Sequence, residues 1–174
     1  MNVHLISSAS VISRDPTHLV NARPGLLAVP RELARELHDV DPASSRYFDR
    51  LGAHALANPL TAKFGIVHGQ AVGAMMPHVI RFNAAADPMP YVAIAASLGL
   101  PEGRASAEEA ALAVAERVEQ LARQVGVPVG LREIGVSDAD IDVLATNALR
   151  DACMSTNPRQ ATHAEMASLF RAAL

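Results

Sequence analysis

Three times after residue 100, a Ser or Thr is followed three residues later by an acid at the head of an apolar stripe: Ser106 with Glu109, Ser137 with Asp140, and Thr162 with Glu165. The hydroxyl of such a residue can accept a backbone N–H of the first turn while the acid reaches back to the capping N–H, so each pair marks a helix start. Ala111, Val114, Ala115, Val118, Leu121, Ala122 and Val125 then fall on one face of a helix over residues 106–125, ended by Gly126 and Pro128. Ile141, Leu144, Ala145, Ala148, Leu149 and Ala152 do the same for residues 137–154, before Asn157-Pro158. A third helix runs from Thr162 to the C-terminus. Further helices are expected at residues 47–57, 68–83 and 88–97, with Pro77 kinking or breaking the second of them. Strand-like alternation is missing from this part of the chain. The expectation is an all-α bundle of five to seven helices over residues 51–174.

The first fifty residues read differently. Pro16, Pro24, Pro30 and Pro42 leave no room for a helix longer than three turns, and only residues 31–38 look helical. Residues 1–50 are therefore expected to be an irregular leader of unrecognised origin, and residues 51–174 a helical domain. Composition narrows the function. The 174 residues contain 33 Ala against four Phe, two Tyr and no Trp, which favours closely packed helices. Fifteen Lys and Arg stand against 18 Asp and Glu, so the basic excess of a nucleic-acid binder is absent. The apolar run at residues 91–100 is too short for the roughly 20 residues of a membrane span. A single cysteine, Cys153, allows no internal disulfide, and the N-terminus lacks the basic segment of a signal peptide. The expected location is the cytoplasm, with neither nucleic acid nor membrane as partner.

Chemistry concentrates in residues 51–83, LGAHALANPLTAKFGIVHGQAVGAMMPHVIRFN, which hold His54, His68 and His78. A straight helix would separate His54 from His68 by about 21 Å, too far for one ion. Asn58-Pro59 and Gly65 lie between them, however, and can end one helix and start another, which would bring the two imidazoles together. From spacing alone, capping or packing at helix ends is the commoner role for two such histidines. His78, ten residues past His68 on the same helix, reads as a packing or hydrogen-bonding residue. No G-x-x-x-x-G-K-[ST] and no G-x-G-x-x-G after a strand occurs, so no nucleotide cradle is visible.

The blocks GAHALANPL and HGQAVGAMMPHVIRFN, followed by STNPRQAT at residues 155–162, resemble the C-terminal helical domain of the iron-containing (group III) alcohol dehydrogenases over residues 51–174. The resemblance implies a metal-dependent, NAD- or NADP-linked interconversion of small alcohols and aldehydes. It makes His54 and His68 the last two of four ligands to Fe(II) or Zn(II). Asn58 stands where many members carry another histidine near the reacting groups. It lies one turn from His54 on the same face, and can orient substrate or cofactor but not relay a proton. The family's Asp-x-x-x-His ligand pair and its nucleotide-binding domain are not recognisable upstream. Asp15 and His18 imitate the pair with the wrong spacing and an intervening proline. Two expectations follow. Either the chain is the C-terminal portion of such an enzyme, inactive alone and completed by a partner chain carrying the nucleotide-binding domain, or it is a non-catalytic helical remnant or interaction module.

Overall fold

The computed structural model describes residues 52–100 and 106–174. Among the described residues there are six α-helices, α1 (Ala53–Phe64), α2 (His68–Ala84), α3 (Pro90–Ser97), α4 (Ala107–Gln124), α5 (Ile141–Arg150) and α6 (His163–Ala172), and no strand. Three 3-10 turns, at Leu131–Ile134, Asp138–Asp140 and Ala152–Thr156, punctuate the second half. The fold is all-α, as the caps and stripes required. The leader, with Asp15 and His18, lies outside the described residues, as do residues 47–51 of the first expected helix.

The hydroxyl caps form at Ser106 and Thr162, and at Ser137 the acid alone closes the turn. Ser106 Oγ accepts the Glu109 N–H at 3.2 Å, and Thr162 and Glu165 bond reciprocally. The Asp140 carboxylate accepts from both the N–H and the hydroxyl of Ser137. It also pairs with Lys63 at the end of α1, and these contacts, Lys63 first and then Ser137, hold its carboxyl down to about 2.

Three boundaries differ from expectation. The first helix does not end at Asn58-Pro59 but continues to Phe64. Pro59 removes one helical N–H, at a cost of about 3 kcal/mol in an unsupported helix. Here Pro59 and Leu60 are both buried, and tertiary packing outweighs the missing bond. The stop comes from Gly65, whose φ of 69° is left-handed and easy only for glycine. Pro77 likewise sits inside α2 without ending it, flanked by the buried Ala74, Met75, Val79 and Ile80. The helix expected over 137–154 is split: a 3-10 turn precedes α5, and Asp151 takes an extended conformation before a second 3-10 turn. Asp151 caps that turn by accepting the Cys153 N–H, and short polar side chains favour such a cap over continued helix.

Helix α2 packs against α1, α4 and α6, while α5 bridges α1 and α6, and α3 lies on α4. Leu56, Leu60, Met75, Ile80, Tyr91, Ile94, Leu144 and Phe170 fill the core between them. Alanines at 53, 55, 57, 71, 110, 111, 115, 145 and 148 are buried at the helix faces, which lets the backbones approach closely. At Gly73 a Cβ would meet the Val127 side chain at 3.2 Å, so any larger residue there would require Val127 to give by a few tenths of an ångström.

The N-P-R loop closes this bundle. Buried Asn157 accepts the Gly52 N–H at 2.8 Å, exchanges two 2.8 Å bonds with buried Asn83 at the end of α2, and donates to the Arg159 carbonyl at 2.6 Å. Arg159 stacks over Phe82 at 4.0 Å, donates to the Phe82 carbonyl and pairs with Glu165 of α6. The F-N and N-P-R blocks of the sequence thus meet in space. Asn157→Ala leaves the Gly52 N–H, the Asn83 amide and a carbonyl without partners, and should cost about 3 kcal/mol in urea unfolding, against under about 0.5 for the exposed Ser155→Ala. Equal midpoints for the two variants would contradict this role for Asn157.

Candidate metal centre

His54 lies in the first turn of α1 and His68 is the first residue of α2. The ten residues from His54 to Phe64 carry the chain about 15 Å along α1. The connector at residues 65–67 can return roughly 10 Å of that, and the two side chains span the rest. The fold-back therefore turns at Gly65 rather than at Pro59, and its result is the one the spacing allowed. His54 Nδ1 and His68 Nε2 stand 2.9 Å apart, with ring centroids at 5.2 Å and planes inclined by 22°. One of these nitrogens carries the shared hydrogen and the other accepts it.

Both rings are half-buried, near a carboxylate. Burial, then the neighbouring His54, pushes the His68 imidazole below its ordinary range, and Asp151 partly opposes this. Asp151 accepts from Asn58 Nδ2 at 2.6 Å. Asn58 is exposed, one turn from His54, as its spacing requires. Burial works against the Asp151 charge, yet the bonds from Asn58 and Cys153 hold its carboxyl below the usual range. His78 stays apart from the pair, and burial and Arg81 lower it against Glu119.

Two imidazole nitrogens bound to one ion must lie within about 4 Å of each other, given bonds of 2.0–2.1 Å, and 2.9 Å meets that condition. The pair fits two adjacent corners of a coordination shell. Among the described residues, no group of three or more His, Cys, Asp and Glu side chains is placed to hold an ion, and His54 and His68 are a pair without a third such donor. Asp151 is the site residue that sequence reasoning missed. Its signal was an Asp at what looked like a helix interior, four residues before the small polar run Ser155-Thr156-Asn157.

The described residues form an all-helical domain that closes on an Asn-Pro-Arg loop and brings two imidazoles together at helix starts, an arrangement shared with the C-terminal half of a dehydrogenase fold. The model of the Fe-containing alcohol dehydrogenase family, C-terminal, matches residues 47–174, and the chain belongs to that family. Lactaldehyde reductase of Escherichia coli (strain K12) is 35% identical over 158 residues, covering 89% of this chain and 41% of that protein. Residues 51–174 are 124 of the 174, so this likeness reaches into the first fifty residues. The 1,3-propanediol dehydrogenase of Citrobacter freundii is 34% identical over 69% of this chain and 31% of its own length. A crystal structure of 1,3-propanediol oxidoreductase superposes with a TM-score of 0.68 at 32% identity, over 71% of this chain and 32% of that one. The chain thus spans well under half the length of these relatives. No helix among the described residues is long and apolar enough to cross a membrane.

The lowered imidazoles set a pH dependence. His68 and His78 titrate below the ordinary value of 6.5 when folded, so just below pH 6.5 the unfolded chain binds more protons than the folded one. Stability should be full above pH 6.5 and fall as pH drops toward the folded values, levelling below them. Urea midpoints between pH 7.5 and 5 check this, and His78→Gln should flatten the slope. A midpoint that rises on acidification would contradict it.

Proposed function

We propose that this chain contributes the two-histidine half of an iron-type alcohol dehydrogenase centre acting on small alcohols or aldehydes with NAD or NADP. The observation that carries this reading is the 2.9 Å approach of His54 and His68. The two side chains would hold Fe(II) or Zn(II), each with its remaining ring hydrogen on the outer nitrogen. Such an ion supplies Lewis-acid polarisation of the alcohol oxygen. Asn58 orients a bound group by hydrogen bonding and, unlike histidine, exchanges no proton. The remaining ligands and the nucleotide cradle come from outside the described residues, and a partner chain carrying the nucleotide-binding domain is one source. The cytoplasm is the compartment this chemistry suits.

Hydride transfer needs the nicotinamide and the alcohol in near-attack geometry, where about 1 Å of misplacement can cost a hundredfold in rate. The purified 174-residue chain should therefore show no alcohol-dependent reduction of NAD or NADP, with or without added Fe(II) or Zn(II). It should nevertheless bind Zn(II) weakly in calorimetric titration, and His54→Ala or His68→Ala should weaken binding by at least about tenfold. Metal-dependent turnover abolished by His68→Ala would show that the chain completes the site itself. Zn(II) binding indifferent to both histidines would favour a second reading, a non-catalytic helical module, to which the lack of a third donor among the described residues lends weight.

A further inference from the structure

Asp151 stands in the extended step between α5 and the 3-10 turn Ala152–Thr156, at φ −72° and ψ 133°. One carboxylate oxygen accepts the Cys153 N–H at 2.8 Å, and the other accepts from Asn58 Nδ2 at 2.6 Å. Capping the turn needs only the first of these bonds. The second reaches across 93 residues of sequence to α1. An ionised carboxylate accepts hydrogen bonds and donates none, so the Asn58 carboxamide must turn its nitrogen toward Asp151. Its oxygen is then left for another partner.

We propose that Asp151 is a positioning residue that makes Asn58 a fixed hydrogen-bond acceptor one helical turn from His54, suited to a ligand bearing a hydroxyl. This rests on reading His54 and His68 as the place where such a ligand binds. The Asp151 carboxylate lies close enough to interact electrostatically with both imidazoles, so cap, amide and histidine pair form one neighbourhood. Asp151→Asn separates this role from simple capping. The new side chain keeps an oxygen for the Cys153 N–H but can turn its nitrogen to Asn58, and the Asn58 carboxamide then reverses and presents N–H instead of oxygen.

The test is NMR of the 15N-labelled full chain, with the Asn58 carboxamide assigned by its loss in Asn58→Ala. In the metal-free protein at neutral pH, one Asn58 Nδ2 hydrogen should lie downfield and exchange at least about tenfold more slowly than the carboxamide of an exposed, unbonded asparagine, and Asp151→Asn should abolish both features while shifting the melting temperature little. With Zn(II) added, ethanol should perturb the Asn58 signals at a concentration about tenfold lower in the parent chain than in Asp151→Asn. An Asn58 carboxamide unchanged by Asp151→Asn overturns the positioning role. Ethanol affinity that is nil, or equal in the two proteins, overturns the acceptor role. Failure of Zn(II) to bind at His54 and His68 removes the metal reading itself, while the metal-free signals still decide the orientation of Asn58.

Discussion

The side chain of Asn157 uses its full bonding capacity inside the protein, and the geometry of the centre depends on it. It joins the residue before α1, the end of α2 and the loop before α6, three pieces of chain separated by as many as 105 residues. An amide is suited to this because it donates and accepts in one plane, so Asn157 pairs with Asn83 and still serves two backbone groups. Gly52 is held so tightly that a Cβ there would meet Met154 Sδ at 2.8 Å. His54 follows two residues later, and its ring is aimed by a helix whose start is fixed this way. The Asn-Pro-Arg block is thus a bolt rather than a ligand set: Arg159 extends it to Phe82 and Glu165.

The sequence was most legible where local chemistry and pattern agree. Ser106 and Thr162 announced helix starts because a hydroxyl in the right frame meets a backbone N–H in any context. The approach of His54 and His68 was legible as a possibility, since Gly65 allows a reversal. Where the chain reverses was not. Pro59 looked like a stop, and only the burial of Pro59 and Leu60 against neighbouring helices shows why α1 passes through it. The break at Asp151 was hidden for the opposite reason. Its neighbours Ala148, Leu149 and Ala152 continue an apolar stripe, and the competing bond to the Cys153 N–H is visible only in three dimensions. Local propensity yields to packing in the first case, and packing pattern yields to a side-chain cap in the second.

That break gives the site its third polar element. Had α5 run on through Met154, the Asp151 carboxylate would have been one more acid on a helix surface. Instead it faces Asn58, and the centre gathers two imidazoles, a carboxamide and a carboxylate from α1, α2 and the end of α5. The arrangement holds charge near the histidines without taking a ligand position. It also explains how a chain with asparagine at position 58 keeps that side chain ordered at an exposed place.

The central claim is that His54 and His68 are two neighbouring ligands of one ion. X-ray absorption at the zinc edge of the Zn(II)-loaded chain tests it most directly, because imidazole rings give a resolvable multiple-scattering pattern at the metal. The account predicts two imidazoles at about 2.0–2.1 Å in the parent chain and one in His68→Ala, the other positions filled by lighter oxygen donors. An imidazole count that stays the same when His68 is removed would contradict it.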